Sequence, residues 1–131
     1  MAKVEQRSER ISAWINDARA LLGLSTWRIV ISLDAAESDA WADIEPNHHA
    51  DSATLRLAND FWKQPPDKQR EILAHELLHL VVCRQDQLVE NLEDALGKVA
   101  WSVFEPQYDD ATERTVDNLA RIIAPMLPPI R

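Results

Sequence analysis

Glu71–Cys83 (EILAHELLHLVVC) is the stretch around which the chain is organised. Inside it lies His75-Glu76-Leu77-Leu78-His79, an HExxH sequence set in an apolar helical pattern. Residues i and i+4 share one face of an α-helix, so His75 and His79 can offer both imidazoles to one ion. Zn²⁺ suits that pair, because neutral imidazole nitrogens bind it at about 2.0–2.1 Å and leave other tetrahedral positions free. Glu76, one residue on from His75, is placed to take a proton from a water at that ion. The bland alternative is two histidines that only bond to neighbours. Burying them and a glutamate without partners costs several kcal/mol, which favours the metal reading.

The 131 residues fall within the range of one domain with a single core, so residues 1–131 are taken as one unit. Hydrophobic residues at 46% and charged residues at 27% exclude wholesale disorder. A net charge of −8 argues against general nucleic-acid binding, which needs clustered Lys and Arg. Cys83 is the lone cysteine, so no intramolecular disulfide can form, in keeping with a reducing cytoplasm. The opening MAKVEQRSER lacks the apolar core of a secretory signal, and no apolar run approaches a membrane span. The expected setting is cytoplasmic, with neither a nucleic-acid nor a membrane partner.

Outward from the central helix, apolar spacing predicts a helix over residues 4–22, with Gly23 as its C′ residue. Thr26–Leu33 alternates Trp27, Ile29 and Ile31 with Arg28, Val30 and Ser32, the pattern of a strand. Asp34–Ser38 is expected as a turn, Ala40–Glu45 as a weaker strand closed by Pro46, and Asn47–Asp51 as a loop. Ala53–Ala58 alternates again, and the prolines of Asn59–Pro66 break the pattern before the central helix from Asp67 to about Arg84. Two further helices are expected, Leu88–Phe104 and Ala111–Met126, separated by Pro106–Asp110. The tryptophans are expected to pack the domain, with Trp41 and Trp62 flanking a cleft edge; Cys83 would be core, and His48-His49 a solvated loop pair rather than ligands or substrate contacts.

Two histidines leave the site incomplete. Glu113-Arg114-Thr115-Val116-Asp117 has the form ExxxD, so Glu113 can complete a His₂Glu set while Asp117 holds the far nitrogen of one histidine. Glu90, Glu93, Asp94, Glu105, Asp109 and Asp110 are rival carboxylates. HELLH followed by ERTVD resembles the zincin metallopeptidases of the gluzincin type, among them the compact ImmA/IrrE-like and phage-encoded proteins. The element order over residues 24–124 is similar to the minimal form of that fold. Leu80-Val81-Val82 lacks the glycine turn and third histidine of the metzincins, which that subtype would need.

The resemblance implies an α+β fold of the minimal zincin-like kind, with a small mixed sheet and about four helices. It implies Zn²⁺ on His75, His79 and Glu113, with Glu76 as general base and acid and Asp117 behind the ligands. It also implies hydrolysis of a protein or peptide substrate, paired along an edge strand near Ala53–Ala58. Tyr108 is the candidate for polarising the developing oxyanion. The competing expectation is a zincin-like metal-binding module that regulates or binds without cleaving.

Overall fold

A computed structural model describes residues 2–32, 40–47 and 49–131. The turn expected at Asp34–Ser38 and the residue His48 lie outside the described residues. The chain is α+β. Helix α1 (Ala2–Leu21) leads to strands β1 (Arg28–Ser32), β2 (Ala42–Asn47) and β3 (Ser52–Leu57). A short helix α2 (Asn59–Trp62) precedes two long ones, α3 (Pro66–Glu90) and α4 (Glu93–Ile123), and a 3₁₀ turn follows at Ala124–Met126.

Helix α1 stops where Gly23 takes φ 74°, which a residue with a Cβ adopts only at a penalty. The Leu24 N–H donates to the Arg19 carbonyl at 2.8 Å and the Gly23 N–H to Ala20 at 3.4 Å, satisfying the last carbonyls of the helix. The three strands form a mixed sheet in the order β1-β3-β2, β1 parallel and β2 antiparallel to β3. The alternation read from the sequence holds: Trp27, Ala53, Leu55 and Leu57 are buried, whereas Val30 and Thr54 face out. Against the inner face pack Ile11, Trp14 and Ile15 of α1, and Ile72, Leu73 and Leu77 of α3, in one continuous core.

Four expectations are corrected. Ala53–Ala58 is not an edge, because β3 is bonded on both sides; β2 is the edge strand on the side of α3. Pro46 therefore sits within β2 rather than closing it, as an edge can spare an N–H. The central helix runs past Arg84 to Glu90. Finally, Pro106–Asp110 does not end a helix: α4 passes through it, and the break falls at Gly97, with φ 81° and ψ 166°. Residues 102–107 are exposed, so the Ser102 carbonyl that Pro106 leaves without an N–H can bond to water. The tail also folds back. The Trp14 indole donates to the Pro128 carbonyl at 2.6 Å, and Leu127 and Ile130 are buried. Among the described residues no helix is long and apolar enough to cross a membrane.

Leu55, 1% exposed on the central strand, and Val30, 46% exposed on β1, separate core from surface. Leu55→Ala is expected to lower unfolding free energy by about 2–5 kcal/mol and Val30→Ala by less than about 1 kcal/mol, measured by urea titration.

Candidate metal centre

Helix α3 presents His75 and His79 one turn apart, on the side of the helix that faces β2 and α4. Between these three elements lies a cleft of about 790 Å³, lined by Trp41, Asp43, His75, Glu76, His79 and Glu113 among others. Three residues after Glu113, Val116 is 1% exposed, and seven after it Ala120 is fully buried. Both anchor α4 in the core, so Glu113, close to their face of the helix, is held at the cleft.

The histidine Nε2 atoms lie 3.1 Å apart. Glu113 spans them, with Oε2 3.3 Å from His75 Nε2 and Oε1 2.9 Å from His79 Nε2. Ligand atoms about 2.0–2.1 Å from a tetrahedral ion lie about 3.3 Å from each other, so these separations fit one small dication. Among the described residues this is the group of three whose donor atoms all lie within 4.8 Å of one another. Glu90, one rival carboxylate, lines the cleft but is outside that group. Burial lowers the His79 pKa against the pull of Glu113, favouring the neutral ring that coordinates a metal.

Behind the ligands, Asp117 Oδ1 lies 3.6 Å from His75 Nδ1, while its other oxygen accepts a bond from Arg121 at 2.6 Å. That Arg121 bond holds the Asp117 carboxyl below its usual range. The motif spacing alone does not mark Arg121, although its i+4 position from Asp117 is a signal the sequence carries.

Glu76 points into the same cleft. Burial, then the charges of Glu113 and Asp43, push its pKa up to about 8 in the metal-free chain. Asp43, on β2, is ion-paired with Arg56 of β3 at 2.7 Å. No local pattern marks Asp43, since only strand pairing brings β2 alongside α3. Lys68 lies over the Trp41 ring at 4.8 Å, so Trp41 does border the cleft. Trp62 instead packs on Phe61 and Arg7 and is not among the lining residues.

Tyr108 is not among the lining residues either. Its hydroxyl donates to Asp86 Oδ1 at 2.7 Å, and burial together with that carboxylate raises its pKa. Asp86 does line the cleft, so Tyr108 reaches it only through Asp86. His49 is exposed, with its backbone N–H bonded to the Asn47 side chain. Cys83 is a buried free thiol, as expected, and borders the cleft floor. Comparison with protein-family models, characterised proteins and solved structures finds no match to this chain.

The raised pKa of Glu76 has a consequence for folding. Its value rises from 4.5 to about 8, so the folded metal-free chain holds this proton more tightly than the unfolded chain. Between those values the unfolded state binds fewer protons, and stability from this group falls as pH rises. Glu76→Gln is therefore expected to stabilise the metal-free chain at pH 8, by up to a few kcal/mol at about 1.4 kcal/mol per unit, and to be near neutral at pH 4. Urea unfolding in the presence of chelator at the two pH values measures the difference.

Proposed function

We propose that this chain is a zinc-dependent peptidase whose ion is held by His75, His79 and Glu113. The observation that carries the reading is the convergence of these three donors in a cleft that also holds the Glu76 carboxyl. Two neutral imidazoles and one carboxylate are a donor set of catalytic zinc sites, with a fourth position left for water or substrate. When bound there, Zn²⁺ acts as a Lewis acid on a carbonyl oxygen and lowers the pKa of a coordinated water to about 7.

The chain's own residues do the rest. Glu76 carries the proton: its carboxylate takes it from the attacking water and returns it to the leaving amine as the C–N bond breaks. Neutralising Glu113 removes one of the causes that keep Glu76 protonated, so the base form becomes available once the site is filled. Asp117, braced by Arg121, keeps His75 oriented with Nε2 toward the cleft. The outer edge of β2, unpaired among the described residues, offers backbone groups beside the cleft, where an extended peptide can pair.

A second reading is a metal-binding module that recognises a partner without cleaving it. It is favoured by Tyr108, whose hydroxyl is taken up by Asp86 and which is not among the cleft-lining residues.

Metal analysis and a peptide-cleavage assay separate the two. The wild-type chain is expected to hold one zinc per chain and to cleave peptides. Glu76→Gln is expected to keep the zinc and lose about 10²–10⁴-fold in turnover. Glu113→Ala and His79→Ala are expected to lose the zinc. A wild-type chain that holds zinc and cleaves no member of a broad peptide library supports the binding module. Full turnover by Glu76→Gln rules out the proton-carrying role.

A further inference from the structure

The cleft carries more negative charge than the metal donors and Glu76 account for. Eight acidic side chains line it, and among the described lining residues Lys68 is the one lysine or arginine. Most of the eight have partners. Asp43 pairs with Arg56, Asp117 with Arg121, Glu71 with Lys68 and Asp60 with Lys63, while Glu113 spans the two histidines. Asp86 and Glu90 remain, and no lysine or arginine of the described residues pairs with either. They sit one turn apart on the stripe of α3 that carries His75, His79 and Cys83 into the cleft. Tyr108 fixes Asp86 by donating to Oδ1 at 2.7 Å, which leaves Oδ2 without a partner in the described chain.

The facing wall is shaped for an extended ligand. The Ala58 N–H donates to the Trp41 carbonyl at 2.8 Å, so Trp41, and with it Asp43 and Glu45, turn their backbone groups toward β3. Ala42, Ile44 and Pro46 turn theirs outward, every second residue as a pairing strand requires, with only the N–H of Pro46 missing. β2 runs the same way as α3. Lys68, near the start of the helix, lies over Trp41, and Arg84, near its end, bonds Asp51 beyond the end of β2 at 3.0 Å. A peptide pairing antiparallel, the stronger ladder, therefore has its amino-terminal part at the Asp86 end. Along α3, Asp86 and Glu90 lie about 10 and 16 Å past His79, or about three to five residues of extended chain. We infer that Asp86 and Glu90 form a subsite for a lysine or arginine about three to five residues before the scissile bond, so that the substrate is an extended basic peptide. The inference rests on the peptidase reading for the cut, and on the charge of the cleft for the cation.

Fluorescence anisotropy with the zinc-supplemented full chain compares short labelled peptides of neutral sequence carrying one arginine or, in its place, one glutamine. The arginine peptide is expected to bind at least about fivefold more tightly, with the difference shrinking as salt rises. Asp86→Asn with Glu90→Gln is expected to abolish that difference, although asparagine keeps an oxygen for the Tyr108 hydroxyl. Glu9→Gln with Asp17→Asn, an equal charge change at exposed positions of α1, is expected to preserve it. Mass spectrometry of the cleaved arginine peptide is expected to place the cut about three to five residues after the arginine. Equal binding of the two peptides overturns the subsite whether or not either is cleaved. So does a preference that survives the Asp86/Glu90 change, or one lost equally in the Glu9/Asp17 control. A cut on the amino-terminal side of the arginine overturns the assigned position. A preference for arginine without cleavage upholds the subsite and counts against the peptidase, whereas cleavage of both peptides alike does the reverse.

Discussion

Val116 and Ala120 seat α4 against the core helix that carries His75 and His79, and that seating places Glu113 within 2.9 Å of His79. The contact is hydrophobic and non-directional in itself, yet helix periodicity makes it specific. Burying residues 116 and 120 leaves positions 113 and 117 on the adjoining face, toward the two imidazoles. A site assembled from side chains on two rigid helices has little freedom to drift, and a donor set needs that precision to bind an ion.

The same packing concentrates negative charge. Glu76, Asp43, Glu113 and Asp117 share one cleft in a chain of net charge −8. Arg56 and Arg121 pair with Asp43 and Asp117, whereas burial, and then the charges of Glu113 and Asp43, raise the Glu76 pKa. Like charges held in a half-buried space favour protonation or a bound cation.

The sheet contributes through its order. With β3 in the middle, β2 becomes the edge beside α3, and among the described residues no strand pairs with its outer side. β2 carries Asp43 to the cleft, and Trp41 lies just before it. The alternation of Ala53–Leu57 follows from its faces: Ala53, Leu55 and Leu57 pack on the core, whereas Thr54 is exposed.

Much of this is legible in the sequence itself. HELLH within an apolar run specified a buried helix with two histidines on one face, because the i,i+4 relation is local. The alternation of Thr26–Leu33 and of Ala53–Ala58 specified strands, and Glu113 and Asp117 stood out by their spacing downstream. Pro106 misled, since a proline breaks a helix only where its lost bond is not made good by water, and that depends on exposure. Gly97, a lesser signal in the sequence, made the break, because it can take a positive φ. Which strand lies at the edge, that Asp43 faces Glu76, and that Tyr108 bonds Asp86 depend on contacts between residues far apart in the chain. Local sequence determined the elements and the faces they present. Tertiary packing alone decided which faces meet, because those pairings follow from the burial of the whole core.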